Sequence, residues 1–502
     1  MGKRITYAAA LFAVVLSVAL LSRSRLLRTP SANPVVHAQS LGLLPVPIDY
    51  AAFPVAAVTI NGWVTNNDQS DIRTHAWNLW GGITAVTKLT GDLPVWETWY
   101  SDEEVQAGPL LRGSSKTLAL RAQGLPSHPF HAPRQFRHAL ELKGLAALKS
   151  VNNLTDTSLV SFNKFDNDYA QFVWANDYYK SATLWNIQES WPKDTPTVNR
   201  IIKPFPAKAI GLKPVFQVVN GPGNSSPGSQ NGITLLNYWQ GDLATGPTHS
   251  TNPANPTPAT WTQCVVVNTG NTPTPPLNTL PCPNGGHPVG TVTLSSFYSI
   301  QLTADEAANI CTTQPLETPA PQQSCTVKAG DYAILMAMHM TSRENDNWTW
   351  QTFWWNYNQP FPYGAPPSTI AAPFNNYAMC TGYSMTVNPA NSPHGKNVVC
   401  YNPYLETGLT GVIGVQSDCM SCHAVASIGN NPITPGYPIF NWNASTSYIS
   451  PTVAADDTVY YNCQTTTDFS WFLAGTVAGT PPSNQKPCVA PPPLKVPPKY
   501  KK

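Results

Sequence analysis

Residues 330–342, GDYAILMAMHMTS, carry the most regular alternation of side chains in the chain. A period of two predicts a β-strand whose successive side chains point to opposite faces of a sheet. One face would hold Tyr332, Ile334, Met336, Met338 and Met340. The other would hold Ala333, Leu335, Ala337, His339 and Thr341. The polar turn RENDN then leads into WTWQTFWWNY, which predicts a partner strand. A fold that contains both segments therefore needs an antiparallel sheet.

Segments with this period outnumber convincing amphipathic helices along the rest of the chain. Further strands are predicted at residues 209–219, AIGLKPVFQVV, and at residues 291–302, TVTLSSFYSIQL. We therefore predict an α+β fold that is mainly β, with a large β-rich domain and a loop-rich C-terminal segment.

Two helices have recognisable ends. Asp68 or Ser70 would cap a tryptophan-rich helix that the glycine pair at 81–82 would end. The tryptophans on this helix are expected to be buried in the core. In LTADEAANIC, Thr303 would cap a short helix with Glu306 at the third helical position, which is the spacing of a capping box.

The composition excludes some classes of protein. With 502 residues, of which 42% are apolar, the chain can form two or three packed units. Only 11% of its residues are charged, against about 25% in ordinary globular proteins. The formal net charge of +2 gives no field that would hold a polyanion, so we expect no nucleic-acid partner.

Residues 1–38 have the pattern of an export segment. A short basic start precedes an apolar run at 5–21, and small residues precede a cleavage point after Ala38. Positive charges directly after the apolar run, at Arg23, Arg25 and Arg28, are unusual in a cleavable signal peptide. An uncleaved N-terminal anchor, and hence a membrane tether, is therefore the alternative. Either arrangement puts the body of the chain in the periplasm or another extracytoplasmic space.

The chain has ten cysteines, and eight of them suit disulfides in such a compartment. Pairing between neighbours would join Cys264 to Cys282, Cys311 to Cys325, Cys380 to Cys400, and Cys463 to Cys488. The alternative is that some of these cysteines are buried free thiols.

The other two cysteines lie in the pentapeptide Cys419-Met420-Ser421-Cys422-His423. Cys-x-x-Cys-His is the attachment sequence for a c-type haem. Two thiols about one helical turn apart can reach both vinyl groups on one porphyrin edge, and the next residue then faces the iron. We predict one covalent haem c per chain, bound by Cys419, Cys422 and His423, with His423 as the iron ligand.

The surroundings of the pentapeptide bear on this prediction. A helix at 417–427 would present both thiols on one face, and a carbonyl in the loop at 429–432 would accept the other ring N–H of the histidine. A redox dithiol or half of a zinc site is the alternative. It lacks a βαβ context and two further zinc ligands at short spacing.

A second iron ligand would have to come from upstream, because no methionine or histidine follows His423. We favour His339, which lies on a well-defined strand among small neighbours. The other candidates are Met336, Met338, Met340, Met379, Met385 and His394. A five-coordinate iron also stays open. A six-coordinate iron can only pass electrons, whereas an open position could bind a small molecule or peroxide.

Two further groups of titratable residues could bind a metal or exchange protons. The first comprises three histidines, His128, His131 and His138. The second comprises four carboxylates near the tryptophans, Glu97, Asp102, Glu103 and Glu104. No carboxylate or cysteine lies at metal-ligand spacing from the histidines, so we expect them to be solvated or to cap helices. We expect the carboxylates to lie at the solvent-exposed start of a helix, where negative charge is favourable.

Several segments together resemble a family of exported bacterial single-haem c-type cytochromes, whose members are largely uncharacterised. They are CYNPYLE leading to SDCMSCHAVA, the early DIRTHAWNLW and VWETW, and the AMHM strand that continues into WTWQTF. The resemblance implies a covalent haem and maturation in the periplasm. It implies no substrate.

We expect four parts: an export segment, a large β-rich domain with a Pro/Thr-rich insertion near 221–289, a cytochrome c-like haem segment, and a Pro/Lys-rich tail. They would occupy residues 1–38, 39–375, 376–480 and 481–502. The expected function is electron transfer outside the cytoplasm with an unidentified redox partner protein. The alternative is a haem-dependent oxidoreductase or a small-ligand-binding haem protein with an open sixth position. An electron carrier is favoured because no dinucleotide fingerprint or nucleophile elbow is found.

Overall fold

A computed structural model describes the chain in ranges separated by gaps, and the helices, strands, sheets and contacts of this fold lie within these ranges. They are 44–109, 120–121, 123–131, 159–192, 195–196, 199–226, 229–239, 261–270, 272–313, 325–361, 363–383, 402–405, 423, 426–429 and 464–479. The predicted export segment, its cleavage point, and the tail at 481–502 lie outside them.

The helices are α1 (Ala57–Asn66), α2 (Gln69–Thr84), α3 (Asp102–Gln106), α4 (Asn167–Ala175), α5 (Ser181–Ser190) and α6 (Ala304–Thr313). The strands are β1 (Tyr100–Ser101), β2 (Leu159–Ser161), β3 (Lys164–Phe165), β4 (Ile210–Val219), β5 (Ser229–Gln230), β6 (Ile233–Asn237), β7 (Cys264–Asn268), β8 (Thr291–Thr293), β9 (Ser299–Gln301), β10 (Tyr332–Ser342), β11 (Thr349–Trp355), β12 (Tyr377–Thr381), β13 (Ser427–Ile428) and β14 (Thr465–Thr466).

Eight of the strands form one antiparallel sheet in which β10 is central. The order is β1-β3-β4-β10-β11-β12, with β2 also paired to β4 and β9 also paired to β10. The predicted pairing of β10 with β11 is confirmed. Two smaller sheets have the orders β5-β6-β7-β8 and β13-β14. The predicted α+β, mainly β fold is confirmed.

The strand β10 departs from simple alternation at one residue. Leu335 and Ala337 pair with consecutive residues of β4, and Met336 between them has no partner there. Met336 is therefore the extra residue of a β-bulge. One extra residue reverses the facing of the side chains beyond it. The prediction of a single methionine face that includes Tyr332 and Ile334 is therefore wrong. Ala333 and Leu335, predicted on the face of His339, instead share the face of Met338 and Met340. After the bulge the alternation holds, and His339 points away from Met338 and Met340.

Residues directly opposite each other on paired strands share a face, so the register defines two faces of the sheet. We call the first the histidine face; it carries His339, Lys213, Thr352, Thr341 and Trp350. We call the second the methionine face; it carries Met338, Met340, Leu212, Phe353 and Met379.

The methionine face is covered by α2. The ring of Trp80 stacks on Phe353 with 4.1 Å between centroids, and Trp77 packs on the same ring at 5.6 Å. Asp68 accepts a hydrogen bond from the Asp71 N–H and caps the helix, as one of the two predicted caps. The predicted stop at the glycine pair is wrong, because the helix runs on to Thr84. Burial of its last turn against the core outweighs the roughly 1 kcal/mol that each glycine costs a helix.

The histidine face is covered by α4 and by residues from the C-terminal part of the chain. Phe165 and Trp350 of the sheet share a buried cluster with Ile428 and Phe472. The rings of Phe165 and Phe472 lie 4.8 Å apart. This packing brings the neighbourhood of the pentapeptide onto the sheet.

The Pro/Thr-rich insertion supplies strands β5 to β7 of the four-stranded sheet. Its side chains Leu236, Tyr238, Val265 and Val267 are buried in the same hydrophobic cluster as the methionine face. The insertion therefore packs against the main sheet.

Two of the predicted disulfides are confirmed, Cys264–Cys282 and Cys311–Cys325. Cys380 is also disulfide-bonded. Its predicted partner Cys400 and the predicted pair Cys463 and Cys488 lie outside the described residues. None of the helices described here is long and apolar enough to cross a membrane.

Candidate functional site

His423 is the one residue of the pentapeptide that the structure describes; Cys419 and Cys422 lie outside the described ranges. Its Nδ1 is 2.8 Å from the backbone oxygen of Phe469. A carbonyl oxygen can only accept, so Nδ1 carries the hydrogen and donates it. The lone pair of the neutral ring is then on Nε2, which is the tautomer that binding a metal through Nε2 requires.

The carbonyl that accepts this hydrogen bond does not come from the predicted loop at 429–432. Strand β13 pairs with β14, and the Thr467 N–H donates to the Ala426 oxygen at 3.0 Å, which brings residues 465–469 alongside His423. The predicted end of the helix at 417–427 is wrong, because Ser427 is in β13; residues 417–422 of that prediction lie outside the described ranges. A long-range strand pair therefore replaces the local loop as the source of the acceptor.

The backbone that presents this carbonyl is strained. Asp468 and Phe469 have φ of +47° and +67°, a left-handed region that residues with a bulky side chain rarely adopt. The side chain of Asp468 holds the turn, since its Oδ2 accepts hydrogen bonds from the Phe205 N–H at 2.8 Å and from Arg343 Nε at 3.0 Å. Burial raises the pKa of Asp468, and the positive charge of Arg343 opposes the rise.

His423 packs on the histidine face of the sheet. Its ring lies 4.5 Å from that of Trp350, centroid to centroid, at an interplanar angle of 44°. The Trp350 Nε1 donates to the Asn347 oxygen at 2.8 Å, which fixes the indole. The Phe469 ring is also near, 6.1 Å from Trp350.

His339 lies on the same face, directly opposite Lys213 on β4 and Thr352 on β11. Burial lowers the pKa of His339 to about 3, and the positive charge of Lys213 and the protonated form of His423 act in the same direction. His423 is therefore within electrostatic reach of His339. A neutral imidazole is the form that binds metals.

The methionine candidates lie elsewhere. Met338, Met340 and Met379 are buried on the methionine face, so the sheet separates their side chains from His423. Met336 is the fully buried bulge residue. Met385 and His394 fall outside the described part of the chain. Among the described candidates for the second ligand, His339 is the one that lies on the face of the sheet on which His423 packs.

The segment upstream of the pentapeptide is attached to the sheet beside His339. The Asn402 Nδ2 donates to Thr352 Oγ1 at 2.7 Å and to the Phe353 oxygen at 3.0 Å, and Asn402 is fully buried. Because Thr352 is the cross-strand neighbour of His339, these hydrogen bonds hold the segment at 402–405 against the site.

A second polar cluster is buried away from these residues, and its centre is His128. The Nε2 of His128 lies 2.8 Å from Glu97 Oε2, and its Nδ1 lies 2.9 Å from Glu306 Oε1. Burial lowers the pKa of His128, but the two carboxylates outweigh it and raise the pKa to about 9. Tyr298 donates to the other oxygen of Glu97 at 2.9 Å. The expectation that His128 is solvated is wrong.

The predicted capping box at Thr303 and Glu306 is confirmed, since the Thr303 N–H donates to Glu306 Oε2 and the Glu306 N–H donates to Thr303 Oγ1. The capping box uses Oε2 of Glu306 and leaves Oε1 to accept from another residue, which was the one hint in the sequence of a further partner. Its partner His128 is 178 residues away in the chain, so spacing could not reveal the pair.

Asp102, Glu103 and Glu104 form the first turn of α3, and Glu97 lies in the 3-10 turn Val95–Thr98 before it. Three of these four carboxylates are not solvated. Glu97, Asp102 and Glu104 are buried, and only Glu103 is exposed among them. Glu104 completes a capping box with Ser101 and accepts from Arg121 Nε at 2.6 Å. Burial raises the pKa of Asp102 to about 6.

His131 is partly buried and lies 3.9 Å from Asp102 through Nε2, while His138 is outside the described residues. Within the described ranges, no three or more histidine, cysteine, aspartate or glutamate side chains form a group that could hold a metal ion.

We compared the chain with protein-family models, curated proteins and solved structures. No family model, no curated protein and no solved structure matches it. The residues around His423 are therefore the basis for assigning a function.

Proposed function

We propose that this protein is an extracytoplasmic c-type cytochrome that carries one covalent haem and passes electrons to a partner protein. Cys419 and Cys422 would form the thioethers, and His423 would bind the iron. The haem, when bound, supplies a one-electron redox change. The resemblance to exported single-haem cytochromes agrees with this assignment, and residues 376–480 would form the haem-binding segment.

One observation carries the proposal. His423, which the pentapeptide alone identifies as the iron ligand, donates its Nδ1 hydrogen to the Phe469 carbonyl. Metal-binding histidines in proteins usually donate the second ring N–H to such an acceptor, because this fixes the tautomer and the ring orientation. The tautomer and orientation of the His423 ring therefore suit a ligand of the haem iron.

The surroundings of His423 also suit a redox centre. The Trp350 ring contacts His423, and the Phe469 ring packs on Trp350. An apolar shell of this kind excludes water, stabilises a haem and tunes its reduction potential. The two disulfides support an oxidising compartment, where residues 1–38 would act as a signal peptide or an anchor.

The proposal is tested by producing the full chain in a host that has the c-type haem maturation system. We expect the haem to stay with the polypeptide through acid-acetone extraction. The double variant Cys419→Ala/Cys422→Ala should lose it, whereas Ser421→Ala, inside the same pentapeptide, should keep it. Extraction of the haem from the wild-type protein would refute the proposal.

A further inference from the structure

The position of the second axial ligand follows from the two faces of the sheet, provided that the proposed haem is present. His423 contacts Trp350, and Trp350 is on the histidine face. A porphyrin bound through His423 would therefore lie close to side chains of this face or of the segments that cover it. Met338, Met340 and Met379 point to the opposite face, into the packing under α2.

On the histidine face, Lys213 and Thr352 lie directly opposite His339, and Trp354 lies opposite Ala337. The neighbours along β10 are small, since Ala337 and Thr341 flank His339, and Gly211 lies opposite Thr341 on β4. Small residues on either side of an imidazole let a planar ring approach its edge. A larger side chain at these positions would cover the ring instead.

We propose that the imidazole of His339 binds the haem iron on the side opposite His423, which gives a six-coordinate site with two histidine ligands. The ligand would be anchored on the central strand of the sheet, and His423 would be anchored by the Phe469 carbonyl. Asn402 donates a hydrogen bond to Thr352, the cross-strand neighbour of His339, and would hold the segment at 402–405 beside the second ligand.

This inference deepens the proposed function and rests on it. An iron with two histidine ligands has no position for a substrate or a small molecule, so the protein would be an electron carrier. It would not act as a peroxidase or a gas sensor.

The test uses the haem-loaded full chain and its optical and electron paramagnetic resonance spectra. We expect the wild-type iron to be low-spin and unaffected by carbon monoxide. His339→Ala should keep the covalent haem but become high-spin and bind carbon monoxide, and added imidazole should restore the low-spin spectrum. His339→Met, which is similar in size, should stay low-spin and gain the charge-transfer band of a thioether ligand.

The control is Met338→Leu, which changes a buried residue of the same strand on the opposite face and should leave the spectra unchanged. A high-spin wild-type protein that binds carbon monoxide would overturn the inference. So would an unchanged low-spin spectrum in His339→Ala. Either result still requires a covalent haem, so it differs from failure of the proposed function, in which no haem is attached at all.

Discussion

The Nδ1 of His423 and the backbone oxygen of Phe469 lie 2.8 Å apart, although 46 residues separate them in the chain. The short pairing of β13 with β14 and the turn that Asp468 holds bring the two together. The orientation of the proposed iron ligand therefore depends on residues that carry no haem chemistry themselves.

We expect Arg343→Gln to destabilise this turn. Arg343 reaches from the β10–β11 turn to Asp468, and the two side chains are 11% and 2% exposed. Removing one partner of a buried ion pair leaves the other charge without compensation, so the free energy of unfolding should fall by about 3 kcal/mol. Urea unfolding of the variant at pH 7 measures the loss.

A matched control is Lys180→Gln, which breaks the exposed pair between Lys180 and Asp177. An exposed ion pair is screened by water and contributes little to stability, so the control should change little. Equal effects of the two substitutions would show that Arg343 does not support the turn through its charge.

Local signals in the sequence predicted much of the fold. The alternation in β10, the polar turn after it and the aromatic strand β11 are contiguous, so a hairpin follows from short-range pattern alone. The bulge at Met336 could not be predicted in this way, because a bulge is a mismatch between two strands and the partner β4 lies more than a hundred residues upstream.

In the candidate site, too, short-range patterns predict some features, and others depend on residues that are distant in the chain. The pentapeptide predicts a role for His423 from five adjacent residues, and the strand pattern correctly placed Ala337, His339 and Thr341 on one face. The Phe469 carbonyl and the carboxylates around His128 come from distant parts of the chain. Residue spacing in the sequence cannot predict such partners, because only tertiary packing brings them together.

The stability of the protein should fall at alkaline pH because of His128. Its pKa is raised from 6.5 to about 9 in the folded state, so its contribution is complete below about pH 6.5 and is lost as the pH rises through 9. In His128→Gln this part of the pH dependence should be absent. Unfolding free energies measured between pH 6 and about 10 give the comparison.

The pH profile of wild-type protein also contains Lys164, whose pKa burial lowers to about 8. This shift acts in the opposite sense, so the difference between wild type and variant is the informative quantity. His287→Gln, at an exposed loop position, serves as the control. Parallel profiles for wild type and His128→Gln would contradict the assigned charge of His128.

We expect Asp166→Asn to stabilise the protein at neutral and alkaline pH. Asp166 caps α4 and accepts from the N–H groups of Tyr169 and Ile210, which asparagine can also do. Burial raises the pKa of Asp166 from 3.8 to about 7, so charging the carboxylate costs stability as the pH rises from 3.8 to 7. A rise in the pKa from 3.8 to about 7 corresponds to at most about 4 kcal/mol, so the asparagine variant should be more stable by up to that amount at pH 8, and the gain should vanish near pH 4.

Asp166→Ala distinguishes the cap from the charge. It removes the acceptor as well, and loss of an N-cap costs about 1–2 kcal/mol. Alanine should therefore be less stable than asparagine at every pH in urea unfolding. An asparagine variant that is less stable than wild type at pH 8 would show that the charged carboxylate is the stabilising form.

We expect Gln351→Met to stabilise the protein. The Gln351 amide is buried on the methionine face between Met340 and Thr381. Neither its nitrogen nor its oxygen has a hydrogen-bond partner among the described residues. Replacing it with an apolar side chain of similar length should raise the free energy of unfolding by about 1–2 kcal/mol. Gln188→Met is the matched control, since the Gln188 oxygen accepts from Thr465 Oγ1 at 2.6 Å, and it should be destabilising. Urea unfolding of both variants decides the question, and a loss of stability in Gln351→Met would mean that the buried amide is satisfied.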